Sequence, residues 1–239
     1  MNEVLPVKNE KKWIFGYSIV LCMTLLAAYF GSHTVTVFSE NSPIARCHTI
    51  IIDPGHGGVD GGATSCTGVL ESRINLEVSL CLNDVLHLLG HQTKMIRTED
   101  ISVYTDGDTI AEKKISDLKE RVRQVNETEN AVLLSIHQNF FADGRYSGAQ
   151  VFFANTEGSQ NIAGKLQQSI VTHVNPGSRR QEKKSSGIFL MDRVRCPAVL
   201  IECGFLSNPE EECKLRSKYF QQKLSCVIAA TISTILSNT

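Results

Sequence analysis

Four side chains in this 239-residue sequence have the types and positions that hydrolytic metal chemistry needs. His56 sits in a glycine-rich turn, Gly55-His56-Gly57-Gly58, just after the apolar run Ile50-Ile51-Ile52. His137 ends a second apolar run, Ala131 to Ile136, and Glu202 ends a third, Pro197 to Ile201. Glu71 opens an amphipathic stretch, where a helix N-terminus favours an anionic side chain. Open α/β sheets build their sites at the carboxyl ends of strands. If these runs are neighbouring parallel strands, both histidines reach one sheet edge and Glu71 leans over it. Two histidines and one carboxylate leave a fourth coordination position for water, which suits a catalytic zinc rather than a structural one. Zinc would acidify that water and polarise a carbonyl. Glu202 alongside could take the proton and pass it to a departing nitrogen.

Each residue alone has a blander reading. A histidine after a strand is usually a loop or core residue, a glutamate at a helix start often only complements the dipole, and a glycine-rich turn is often just a turn. Only their joint placement points to zinc. The glycine turn is not a phosphate loop, because no Gly-Lys-Ser/Thr follows. Cys203, next to Glu202, allows a thiol nucleophile paired with His137, but that leaves His56 and Glu71 without a role.

The elements that must position these residues follow from periodicity. Thr49 to Asp53 reads as a buried strand. Glu71 to Leu89 reads as a helix, with Ile74, Val78, Cys81, Leu82, Val85 and Leu89 on one stripe and Gly90 as its stop. A strand is expected over Lys94 to Arg97, an irregular segment over 100–115, and a helix over Asp117 to Glu129 with Leu118, Val122 and Val125 inward. Further strands are expected at Ala131 to Ile136, Ala149 to Phe153, Gly187 to Met191 and Ala198 to Glu202. Ser159 to Val174 and Tyr219 to Leu236 read as helices, and Asn208 caps another that opens with Pro209. Between them lies a basic loop, Asn175 to Ser186, carrying Arg179, Arg180, Lys183 and Lys184. Strands alternating with helices predict an α/β three-layer sandwich around a mainly parallel or mixed sheet.

Composition fits one packed domain plus an appendage: 42% hydrophobic, 21% charged and a net charge of -1. That balance, with no basic stripe, gives no case for nucleic acid. Trp13 to Phe30 contains no charged residue and would rise about 27 Å as a helix, close to a bilayer core. Lys8, Lys11 and Lys12 precede it, placing the N-terminus inside. The expected organisation is a cytoplasmic N-terminus (1–12), a transmembrane anchor or uncleaved signal (13–31), a linker (32–46) and an extracytoplasmic catalytic domain (47–239). A cleaved signal peptide, giving a secreted domain, is the alternative. Of eight cysteines, Cys22 lies in the anchor; the rest lack knuckle spacing and are expected mostly to be small buried hydrophobes.

In these residues the chain closely resembles the zinc-dependent N-acetylmuramoyl-L-alanine amidases of bacterial cell walls, the type-3 amidase family. The resemblance runs from about Thr49 to about Leu236. Four blocks carry it: Ile52-Asp53-Pro54-Gly55-His56-Gly57-Gly58 with Asp60 and Gly62-Ala63; Gly68 and Glu71 with Asn75-Leu76; Ser135-Ile136-His137-Gln138-Asn139; and Pro197 to Glu202 continuing through Gly204-Phe205-Leu206-Ser207-Asn208. Arg121 and Asn126 look like the family's helix before the second histidine. Ser72-Arg73-Ile74 and Cys203 depart from the common pattern.

The resemblance implies that His56, Glu71 and His137 bind zinc, that Glu202 is the catalytic base, and that the sheet has about six strands. It implies hydrolysis of the amide between N-acetylmuramic acid and L-alanine of the stem peptide in peptidoglycan. A short catalytic domain behind one anchor is similar to the spore-cortex amidases of endospore formers, which act with a deacetylase to make the muramic δ-lactam read during germination. The partners expected are peptidoglycan, the membrane through the N-terminal helix and, as a further candidate, an accessory protein. The competing functions are a vegetative autolysin of the same family, a zinc carboxypeptidase holding a terminal carboxylate on Arg179 or Arg180, and a wall-binding scaffold with a dead site.

Overall fold

Strand β1 (Thr49–Pro54) is buried on both faces, as its unbroken apolar run requires: Ile50, Ile51 and Ile52 have no solvent exposure. The computed structural model describes residues 48–237. After β1 come α1 (Glu71–Leu88), β2 (Gln92–Met95), α2 (Ile110–Asn126), β3 (Ala131–Asn139), β4 (Gln150–Phe153), α3 (Ser159–His173), β5 (Lys183–Lys184), β6 (Ala198–Phe205), α4 (Pro209–Leu215) and α5 (Lys218–Leu236). They form a six-stranded sheet in the order β2-β1-β3-β6-β4-β5. β2, β1, β3 and β6 run parallel; β4 is antiparallel to β6 and β5 is parallel to β4. The sheet is therefore mixed, with helices on both faces. The expected anchor and linker lie outside the described residues, among which no helix is long and apolar enough to cross a membrane.

Strand alternation divides the core in two. Ile50, Ile52, Leu134, Ile136, Val199 and Ile201 face α1, α3 and α5, where Ile74, Leu82, Leu166 and Ile228 complete the packing. Ile51, Leu133 and Leu200 face the other way, against Val125 of α2 and Leu190, Met191 and Val194. His137 and Glu202 share this second face, past the carboxyl end of its apolar rows.

Several elements differ from expectation, each for a local reason. α2 opens at Ile110, not Asp117, because Thr109 and Glu112 form a reciprocal capping box: Thr109 Oγ1 accepts from Glu112 N at 3.2 Å, and Glu112 Oε2 accepts from Thr109 N at 2.9 Å. The buried residues of α2 are Asp117, Arg121 and Val125, while Leu118 and Val122 are only half-buried. Gly187 to Met191 is not a strand. Turns bonded from Asp192 N and Val194 N back to Ile188 O and Leu190 O fold it onto the second core. The strand there is the exposed pair Lys183–Lys184, held against Phe152 and Phe153. β2 begins two residues early, as an edge strand with little apolar signal. β3 and β6 run on past His137 and Glu202, so both residues lie within strands, with a register shift just after them. The cap on α4 is as expected: Asn208 Oδ1 accepts from Glu210 N and Glu211 N at 3.0 and 3.2 Å.

The expectation for the cysteines is corrected. Of the six described thiols, Cys66, Cys213 and Cys226 are exposed and Cys81 and Cys196 half-buried; Cys203 alone is buried, and none is paired.

Candidate metal centre

The turn after β1 is held open by two buried arginines. Arg97 Nε donates to Pro54 O at 2.9 Å, and its Nη2 donates to Gly55 O at 3.0 Å and Ser72 O at 2.8 Å. Arg121, on α2, donates from Nη1 to Pro54 O at 3.0 Å and from Nη2 to His56 O at 2.7 Å. It also pairs with Asp53 and Asp117. These contacts fix His56 at φ +60, a left-handed conformation uncommon outside glycine. Backbone strain of this kind persists only where the surroundings over-determine it.

Glycine is needed at two places because side chains occupy the space a Cβ would take. A Cβ on Gly55 would lie 2.2 Å from the His137 ring, and one on Gly62 would lie 2.6 Å from Glu71 Oε2. The turn is thus shaped around the two histidines and the glutamate.

His56, Glu71 and His137 converge, with one ligand-capable atom from each lying within 4.8 Å of the others. Glu71 Oε2 is 3.3 Å from His56 Nε2 and Oε1 is 3.0 Å from His137 Nδ1. The two imidazoles stand edge to face, 5.0 Å between centroids. Glu71 is itself oriented by Ala63 N at 3.0 Å, Gln138 N at 3.1 Å and Asn75 Nδ2 at 3.3 Å. Asp60 Oδ2 takes His56 Nδ1 at 2.9 Å, and Lys114 Nζ holds the other Asp60 oxygen at 2.8 Å.

The electrostatics follow from this crowding. Burial alone would raise Glu71, but hydrogen bonds from His137 and His56 outweigh it and hold the carboxyl far below its usual range. Burial would lower His56; the hydrogen bonds to Asp60 and Glu71 reverse this and push the ring up to about 9. The cluster thus attracts positive charge strongly, as a cation site must. Two ring nitrogens and a carboxylate oxygen could hold zinc. Asp60 on Nδ1 of His56 is the outer partner that fixes a liganding ring's tautomer and direction.

Glu202 stands beside the cluster, the register partner of His137 on the adjoining strand. As a residue it is half-buried, yet its Oε2 is sealed from solvent and has no hydrogen-bond partner among the described residues. Burial pushes its carboxyl up to about 7, with the field of Glu71 adding to the rise and His137 opposing it. A buried orphan carboxylate oxygen is costly.

All four expected site residues therefore share one centre. Cys203 does not join it: its side chain packs in the opposite core, Sγ 3.7 Å from Ile201 O, and burial pushes the thiol up to about 12. The nucleophile reading is excluded. Sequence reasoning gave no role to Arg97, Asn75 or Gln138. The position of Arg97 just past β2, at the same sheet edge, was the available signal.

Known proteins share this sequence and fold. The family model described as N-acetylmuramoyl-L-alanine amidase matches residues 50–234. The germination-specific N-acetylmuramoyl-L-alanine amidase of Bacillus subtilis is 35% identical over 93% of this chain and 93% of its own length. The amidase CwlD from Clostridioides difficile, solved in complex with the GerS lipoprotein, superposes with a TM-score of 0.77 at 32% identity, covering 80% of this chain and all of that one. A second solved structure, an N-acetylmuramoyl-L-alanine amidase from Clostridium difficile 630, gives a TM-score of 0.71 at 30% identity over 81% of this chain and 98% of that one. With its turn, its histidines and its sheet all within the matched span, this chain belongs to the N-acetylmuramoyl-L-alanine amidase family.

Proposed function

We propose that this chain is a zinc-dependent hydrolase that cleaves the amide joining N-acetylmuramic acid to L-alanine in spore-cortex peptidoglycan, as a step towards muramic δ-lactam. His56, Glu71 and His137 would hold the ion, and Glu202 would act as the base. The observation that carries this reading is the orphaned, sealed Glu202 Oε2 beside a compact N,N,O donor set.

Bound zinc supplies Lewis-acid polarisation of the scissile carbonyl and acidifies the attacking water. The remaining steps belong to the protein. Asp60 orients the His56 ring, while Asn75 and the Gln138 backbone N–H keep Glu71 in place. Glu202 accepts the proton of the attacking water on its unpartnered oxygen. From there the proton can return to the L-alanine nitrogen as the amide breaks.

The cortex role is supported by the germination-specific relative, with which this chain is alignable over nearly its whole length. The charge-free run Trp13 to Phe30 supports a membrane anchor with the catalytic domain outside. The lipoprotein in the C. difficile CwlD complex supports an accessory protein for this chain as well.

Digestion of purified peptidoglycan tests the reaction. New L-alanine amino groups and peptide-free glycan should appear with zinc and vanish on chelation. Release of D-amino acids with the muramoyl amide intact would instead assign a carboxypeptidase. Cortex made without the enzyme should lack muramic δ-lactam; a normal content would remove the spore role while leaving the chemistry standing.

A further inference from the structure

The basic loop Asn175 to Ser186 plays no part in the chemistry above. It walls a groove of about 1610 Å³, closed on its other sides by the 144–148 segment and the start of α4. Five cations line this groove: Arg145, Arg179, Arg180, Lys183 and Lys214. Arg145 is engaged by Asp143, at 2.9 Å from Nε and 2.6 Å from Nη2. The Glu211 carboxylate is buried and committed to Gly148 N and Phe205 N, at 2.8 and 2.9 Å.

Arg180 differs from the others. It is half-buried, its guanidinium 5.0 Å from the centre of the Phe205 ring. Nε donates to Ser147 O at 3.0 Å and Nη1 to Gln150 Oε1 at 3.4 Å. The Gln150 amide is fixed in turn, since its Nε2 donates to Gln181 O at 2.5 Å and Gln167 Oε1 at 3.2 Å. No carboxylate pairs with Arg180 among the described residues. A guanidinium that lies over an aromatic ring, is held through Nε and Nη1 and lacks a counter-ion keeps Nη2 free to meet an anion.

Its place in the fold supplies the link to the site. Gln150 is the register partner of Glu202 across β4 and β6. Opposed residues on antiparallel strands have Cβ atoms about 5 Å apart. Arg180 is thus held by the side chain of the residue that faces the proposed base from the next strand. An extended peptide advances about 3.5 Å per residue, so the second residue of the stem peptide reaches past the neighbouring strand, about 4.8 Å away.

We propose that Arg180 is a specificity-determining residue, binding a free carboxylate on the second residue of the stem peptide while the muramoyl amide sits at the metal centre. The proposal rests on the amidase reading given above.

The test uses two synthetic muramyl tripeptides that differ only in a free carboxylate or a carboxamide on the second stem residue, with full-length, zinc-loaded protein. The wild type should favour the carboxylate by about 10-fold or more in KM, the range of a charge-assisted pair. Arg180→Gln should shrink that preference to about 2-fold or less, and Arg180→Lys, which keeps charge but loses the fork, should fall between. Lys184→Gln, on β5 outside the groove lining, should keep the wild-type preference. A wild type indifferent to the carboxylate, or Arg180→Gln with undiminished preference, overturns the proposal. If Arg180→Gln does not fold, the lysine variant decides: an unchanged preference there overturns it equally. Calorimetric titration of the free tripeptide, as acid and as amide, separates the two readings. If neither muramyl substrate turns over, the amidase reading fails alone. A wild-type acid-over-amide affinity that is weakened in Arg180→Lys still supports the anion site, and equal affinities remove it.

Discussion

Glu202 and Asp60 separate the two jobs a carboxylate can do beside a metal. Glu202 has an unpartnered oxygen, whereas Asp60 is spent on His56 and Lys114. Glu202→Gln removes the base but keeps the shape. We expect turnover to fall about 10²- to 10⁴-fold with zinc content unchanged; loss of the metal as well would make Glu202 a ligand. Asp60→Asn should act through the ring it orients. Zinc affinity should drop about 10- to 100-fold, and excess zinc should restore turnover. Weakened zinc binding that excess metal cannot rescue would point to a collapsed turn instead. At this scale the sequence was highly legible for residues that end apolar runs, because a charged group there has few structural jobs. It was illegible for Arg97 and for the role of Arg121. A buried arginine has the same letter as a solvated one, and the Pro54, Gly55 and His56 carbonyls that hold these two are brought near only by tertiary folding.

The elements were readable where a stripe or an apolar run was long, as in α1, β3 and β6, and unreadable where local chemistry decided. α2 is the clearest case, since its first turns are polar and only the Thr109–Glu112 box marks its true start. β5 is a two-residue strand made by pairing with Phe152 and Phe153, and no pattern of its own announces it. The α2 cap also matters to the site, because that helix carries Arg121 and Lys114 to the glycine turn. Thr109→Ala should cost about 1 kcal/mol, within the usual 0.5–2 for a lost cap, read as a lower urea midpoint at unchanged slope. Thr109→Asn, a competent cap, should recover most of it. Equal losses in both variants would show that Thr109 matters for something other than capping.

At the scale of the molecule, the three-layer plan puts a carboxylate that resists ionisation in β6, near the middle of the sheet, so its titration is felt by the whole cooperative unit. In metal-free protein the signs differ among groups. Glu202 is raised from the ordinary 4.5 to about 7. The folded state therefore keeps a proton that the unfolded chain has already lost, and the stability this confers is complete below 4.5 and lost as pH climbs to about 7. Glu71 and Asp60 are lowered, so their contribution is present above their ordinary range and lost as pH falls. His56, raised to about 9, contributes below 6.5 and loses its contribution as pH rises through 9. Replacing Glu202 isolates one limb of this sum. Relative to wild type, metal-free Glu202→Gln should show little difference near pH 4 and a growing advantage through neutrality. The upper bound is about 3 kcal/mol by pH 8, since each tenfold gain in proton affinity on folding is worth ~1.4 kcal/mol. Urea unfolding of both proteins across that range is the measurement. A stability difference that does not change with pH would mean that Glu202 ionises as freely in the sheet as in water.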